Sequence, residues 1–315
     1  VRRILMLIAA SLTAVACQGG QATDSMPEGG FWSTGAVSDD EKLAVIQKVR
    51  AIDVCALLPR ESLAALGQVS EVENVQPDQC RANIAVDGHP GGIAATWSVG
   101  TSYGVVEPTM GEPVVERAMG DVRVLYRDEP STSADPQVRD SCDARAAFVS
   151  GADLMLSVRA PQDACATVED LLRIALVQWR DEPAHGSSPD SDRTAITGAD
   201  PCAVAAFLGT RVPVADHGIA TCRLTVDGHE AIVTFGYGPE RSVTSATPAF
   251  AAGPGQVYRS EGAQSDITSL TAIVGPALAA SAADSLLGPQ VPTVRVTTDA
   301  AVAEKIMREA LALLP

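Results

Sequence analysis

The chain has 315 residues and a formal net charge of −16, with 39 Asp and Glu against 23 Lys and Arg. That balance argues against nucleic-acid binding and against electrostatic adhesion to anionic lipid headgroups. Four histidines and no C-x-x-C spacing argue against a metal site, while the length allows two ordinary domains.

Arg2 and Arg3 precede an apolar stretch from Ile4 to Ala16 that ends at Cys17. A membrane-spanning helix needs ~20 apolar residues, so residues 1–16 read instead as a secretory signal. Ala14-Val15-Ala16-Cys17 resembles the bacterial lipobox, which implies cleavage before Cys17 and a diacyl, palmitate-bearing anchor on that residue. Residues 17–38 carry Gly and Ser and read as a flexible tether between lipid and domain. The apolar run from Thr271 to Gly288 is broken by Pro276 and Asp284 and reads as globular.

From residue 39 onward the chain repeats itself. Asp53-Val54-Cys55-Ala56-Leu57-Leu58 opens a segment that closes at Leu66-Gly67, and Asp200-Pro201-Cys202-Ala203-Val204 opens one that closes at Leu208-Gly209. Each predicts a short helix, with Pro59 or Pro201 at its first position and Gly67 or Gly209 just past its end. Cys80-Arg81 then leads to Asp87-Gly88-His89, and Cys222-Arg223 to Asp227-Gly228-His229. A second strand follows in both, carrying Trp97 in the first copy and Phe235 in the second, which makes a hairpin with a D-G turn found twice. Further on, Gly120 to Arg127 parallels Gly255 to Arg259, Leu156-Ser157-Val158 parallels Val294-Arg295-Val296, and Asp163-Ala164-Cys165 parallels Asp299-Ala300-Ala301.

Each copy ends in an amphipathic helix. Val168, Leu171, Leu172, Ala175, Leu176 and Trp179 share one face of the first, and Val302, Ile306, Met307, Ala310 and Leu314 one face of the second. The expected fold is α+β, two tandem copies of a domain in which an antiparallel sheet is packed by N- and C-terminal helices. The first copy takes residues 39–181 and the second 199–315, with a Gly-, Ser- and Pro-bearing linker at 182–198 between them.

Assigning Cys17 to lipid leaves six of the seven cysteines to pair. Cys55 and Cys80 have counterparts in Cys202 and Cys222, whereas Cys142 and Cys165 have none, Ala301 standing where Cys165 would be. Cysteines that occur together and vanish together are most simply partners. The repeat therefore predicts Cys55–Cys80, Cys142–Cys165 and Cys202–Cys222, each worth ~3 kcal/mol and each at home in an oxidising compartment. With a single bridge, the second domain is expected to be the less stable.

The D-x-C-A-L-L opening, the C-R strand and the lipobox together resemble a family of actinobacterial lipoproteins of unknown function whose domain opens on L-D-P-C-x-L-L. The first copy has Val54 where that motif has proline, and the second keeps Asp200-Pro201-Cys202 but has Val204-Ala205 where leucines are usual. The two disulfides of the first copy are more loosely similar to those of extracellular sensor domains in mycobacterial membrane kinases. Neither resemblance implies a catalytic residue or a cofactor.

Gly100-Thr101-Ser102-Tyr103-Gly104 matches G-x-S-x-G in form, but a nucleophile elbow must run into a helix and Val105-Val106-Glu107-Pro108 follows here. His89 and His229 recur because the hairpin turn recurs. Asp190, Asp192 and Thr194 imitate the start of a calcium loop, with Ala195 at its glycine position and Pro201 at its terminal glutamate position. Gly253 and Gly255 have Tyr258 where a third glycine is needed for phosphate binding. Trp97, Tyr126 and Trp179 are candidates to line a ligand groove, although such residues more often fill the core. The expected function is a non-catalytic, lipid-anchored lipoprotein on the extracytoplasmic side of the cell membrane, binding a ligand or partner in a groove between the modules. The alternatives are an envelope serine hydrolase using Ser102 with His89, and a structural or antigenic surface protein.

Overall fold

The computed structural model describes residues 30–103, 114–129, 140–252, 255–261, 267–279 and 287–315. Cys17, Gly104 and Gly253 lie outside the described residues. Ser38 opens helix α1 (Asp39–Arg50) with a capping box, its hydroxyl accepting from the Glu41 amide while the Glu41 carboxylate accepts from the Ser38 amide. These backbone bonds hold the Glu41 carboxyl below its ordinary value. A 3₁₀ turn at Val54–Leu57 and short helix α2 (Arg60–Leu63) then lead into the sheet.

The first sheet comprises β1 (Gln68–Gln76), β2 (Gln79–Val86), β3 (His89–Thr101), β4 (Val115–Met119), β5 (Val122–Glu129), β6 (Asp140–Ala147) and β7 (Ala152–Ala160), and helix α3 (Ala164–Arg180) follows. Its strand order is β1-β2-β3-β7-β6-β5-β4. In the second unit come α4 (Val204–Leu208), β8 (Thr221–Val226), β9 (His229–Pro239), α5 (Glu240–Thr244), β10 (Thr247–Ala252), β11 (Gly255–Glu261), β12 (Ile267–Ile273), β13 (Gln290–Asp299) and α6 (Ala300–Ala312). Read from its β8 edge, the second sheet runs β8-β9-β13-β12-β11-β10. This is the order of β2-β3-β7-β6-β5-β4, so the repeat in sequence is a repeat in topology to which the first unit adds α1 and β1.

Alternation places one side of each sheet under helices. Cys80, Ala82, Trp97, Val99, Cys142, Ala144, Leu154 and Leu156 are buried with the α3 residues Val168, Leu171, Leu172, Ala175, Leu176 and Trp179 in one core. Leu224, Val233, Phe235, Leu270, Val294 and Val296 are buried with Val302, Ile306, Met307 and Ala310 of α6 in the other, and Leu314 packs on it from beyond the helix end. The two D-G turns differ in detail. Asp227 and Gly228 both take positive φ, 51° and 87°, as a two-residue hairpin of type I′ requires. In the first hairpin the pairing shifts between Ile84 and Val86, and Gly92 at φ +53° passes so close that an added Cβ would stand 2.3 Å from the Ile84 carbonyl oxygen.

Disulfides join Cys55 to Cys80, Cys142 to Cys165 and Cys202 to Cys222 across 25, 23 and 20 residues. In the second unit Leu270, opposite Val296, occupies the place that Cys142, opposite Val158, takes in the first. A fully buried leucine there fills the space of the missing bridge.

The described residues of the tether and the linker are packed. Within the 17–38 tether, Trp32 is 7% exposed, its ring 5.2 Å from Trp179 and 6.2 Å from Phe148. The 182–198 linker is a strap. Ile52 bridges to Ala184, and the buried Asp53 carboxylate accepts from the Gly186 amide at 2.9 Å, the Ser188 amide at 3.0 Å and the Ser191 hydroxyl. Asp190 pairs with Arg60 at 2.7 Å, and Asp192 takes the Ala279 amide at 3.0 Å, so the carboxylates that imitate a calcium loop have protein partners. Polar composition marks a linker without showing that it is held, because the groups that order it lie far away in sequence.

Candidate ligand cleft between the two units

Arg50, the last residue of α1, fixes how the units meet. It is 7% exposed and donates to the carbonyls of Ile219 at 3.0 Å and Gly218 at 3.1 Å. It also stands 3.2 Å from the Asp200 carboxylate. Burial lowers the Arg50 pKa and Asp200 opposes that shift. Gln76, at the end of β1, extends the contact: its side-chain carbonyl accepts the Tyr237 amide at 3.1 Å. Val214 and Ile219 from the second unit pack into the first core.

Beside this seam lies a cavity of about 380 Å³, lined from the first unit by Asp78, Val99 and Thr101 and from the second by Ile219, Arg223 and Ile232. The elements place these groups for simple reasons. Asp78 sits in the turn between paired Gln76 and Gln79, Val99 and Thr101 end β3, and Arg223 faces outward on edge strand β8 opposite Ile232. Val99 donates its amide to the Asp78 carbonyl at 3.0 Å, tying the turn to the strand end. Asp78 is half-buried as a residue but its carboxyl lies deeper, where it meets its own backbone amide, and burial pushes its pKa up to about 6. Arg223 is exposed and has no ion-pair partner among the described residues. A small cavity at a domain junction, with apolar walls and convergent polar groups, is the usual form of a ligand site.

A larger, open depression of about 760 Å³ follows the β2–β3 hairpin. It lies within one unit, and its Ser70 hydroxyl and Asn83 amide are committed to the Asn83 carbonyl and the Glu71 carboxylate. The interdomain cleft is therefore the better candidate.

Trp97, Tyr126 and Trp179 do not line a groove, being 1%, 6% and 0% exposed. Trp97 donates its indole N–H to the Val54 carbonyl at 2.6 Å, and Trp179 stacks on Phe148 with centroids 4.7 Å apart. Large flat side chains where a sheet faces its helix are drawn into the core by the area they remove from water. The Ser102–His89 pairing also fails. The residues flank the ends of β3, a strand of 13 residues whose ends are roughly 40 Å apart, while a nucleophile and its base must share a hydrogen bond. Ser102 instead donates to the Gly151 carbonyl at 3.1 Å. His229 stands 3.5 Å from Asp299, the cap of α6. Asp200, Cys202 and His217 offer atoms within 4.8 Å of one another, but the Cys202 sulfur is bonded to Cys222 and the Asp200 carboxylate faces Arg50. Sequence reading missed Asp78 and Arg223, which belong to no motif; the C-R dipeptide pointed only to the strand.

No protein-family model matches the chain, and no curated protein matches it. Among solved structures, the crystal structure of the di-domain ARO/CYC BexL from the BE-7585A biosynthetic pathway is matched at 12% identity over 89% of this chain and 88% of that one, with a TM-score of 0.13. A likeness that low carries no argument about fold or function.

Proposed function

We propose that the protein is a lipid-anchored cell-envelope lipoprotein whose paired α+β units form a non-catalytic ligand- or partner-binding module, tethered through Cys17 on the extracytoplasmic side of the membrane. The three disulfides suit an oxidising compartment outside the cytoplasm, and among the described residues no helix is long and apolar enough to cross a membrane. The lipobox and the L-D-P-C-like openings support the anchor and the family reading. The observation that carries the binding reading is the cleft itself, a cavity walled by both units and lined by Asp78 and Arg223, which have no ion-pair partner among the described residues.

Two measurements test it. Replacing Ile232 with tryptophan fills the cleft floor; native mass spectrometry of protein purified from envelope membranes should show a bound small molecule in the parent that is lost from Ile232→Trp. An identical set of bound species in both would refute the binding site. Cys17→Ala should lose radiolabelled palmitate and leave the membrane fraction, and a variant that stayed there would refute the anchor.

A further inference from the structure

We infer that the cleft takes a small zwitterion of the amino-acid or dipeptide class, its ammonium on Asp78 and its carboxylate on Arg223. This rests on the reading of the cleft as a ligand site and adds the chemistry of its occupant. An acid and a base line the same cavity, yet they form no ion pair with each other, and neither is paired elsewhere among the described residues. Elsewhere the fold readily joins such groups, as in Arg60–Asp190, Arg127–Asp143, Arg145–Asp153 and Arg180–Asp121. A group carrying both opposite charges is the complement of what remains.

Size and lining agree. The volume of about 380 Å³ lies at the small end of the ~300–1,000 Å³ typical of ligand pockets. An extended dipeptide spans roughly 7 Å, a size that such a volume admits. Ile232, opposite Arg223 across the β8–β9 pair, offers apolar surface to its side chains, and Thr221 lines the same cavity. A planar guanidinium suits a carboxylate through paired N–H donors. The Asp78 carboxyl, although burial pushes its pKa up to about 6, is mostly ionised at neutral pH and so able to receive an ammonium. A buried carboxylate without a counter-charge destabilises the free protein, a cost met at ligand sites where the ligand supplies the missing charge.

The test is calorimetric titration of the full-length protein in detergent with L-leucine and L-alanyl-L-alanine, alongside N-acetyl-L-alanyl-L-alanine and L-alanyl-L-alanine amide. At least one zwitterion should bind, and each singly blocked dipeptide should bind at least tenfold more weakly than the free dipeptide. Asp78→Asn should abolish the preference over the N-acetyl form, and Arg223→Gln the preference over the amide. Equal affinity for free and blocked dipeptides overturns the inference, as does failure of every zwitterion to bind. If the zwitterions fail while the envelope-purified protein carries a species that Ile232→Trp loses, the ligand class is wrong and the cleft stands. If that species is also unchanged by Ile232→Trp, the cleft reading falls with it.

Discussion

Replacing Asp78 with asparagine should stabilise the protein at neutral pH, the opposite of what most substitutions in a half-buried turn do. The Asp78 pKa rises from an ordinary 3.8 to about 6 because burial disfavours its charged form. The folded state therefore binds this proton more tightly than the unfolded state does. Stability from this group is present below the unfolded value and is lost as pH rises through the folded value, between about 4 and 6. A shift of that size corresponds to at most about 3 kcal/mol, and the residue's partial exposure to the cleft lowers it to about 1–2 kcal/mol through solvent screening. Asparagine keeps the shape and removes the charge. Urea unfolding of parent and Asp78→Asn at pH 4, 6 and 7.5 should give coincident stabilities at the acid end and a more stable variant at pH 7.5. His217, whose pKa is lowered chiefly by burial, and Glu73, whose pKa burial raises, titrate in both proteins and cancel in the comparison. Parallel pH profiles, or a variant less stable than the parent at pH 7.5, would refute the picture of an unpartnered carboxylate in the cleft.

Other perturbations probe the seam and the staples. Arg50→Met leaves Asp200 and the Gly218 and Ile219 carbonyls without their donor, and loss of one partner from a buried ionic contact costs about 3–5 kcal/mol, reduced here to about 2–3 kcal/mol because Asp200 is partly exposed. Equilibrium unfolding should show that loss, partly recovered when Asp200→Asn is added; a change below about 1 kcal/mol would mean that the Arg50 contacts do not hold the units together. Changing Cys202 and Cys222 together to alanine removes a loop constraint across 20 residues and should cost ~3 kcal/mol, read as a lowered melting transition of the second unit. A melting curve unaltered by that double change would show that the single bridge adds nothing to an already ordered core.

The features legible in the sequence were local or periodic. A D-G pair closes a hairpin within a few residues, a cap lies next to its helix, and the α3 face recurs at spacings of three and four, so Val168 through Trp179 could be assigned to one side before any tertiary contact was known. Cysteine partners followed from comparing the copies with each other, a signal that a single unrepeated domain would not have carried. Trp97, Tyr126 and Trp179 were ambiguous because composition reports that an aromatic residue is present and not which surface it meets. Trp32 was misread for the same reason, its Gly- and Ser-bearing neighbours suggesting a tether although its ring is buried against Trp179.

By itself, then, the sequence determined two copies of an α+β unit, their hairpins and terminal helices, and the three disulfides. Each of these is written in short-range spacing or in self-similarity. Tertiary structure alone decided that Arg50 reaches carbonyls 168 and 169 residues away, that the linker is a strap held by Asp53, and that Asp78 and Arg223 line one cavity. Such meetings depend on how one unit is set against the other, and that is settled by the summed burial and pairing of surfaces drawn from remote parts of the chain, for which no local pattern of residues is a sign.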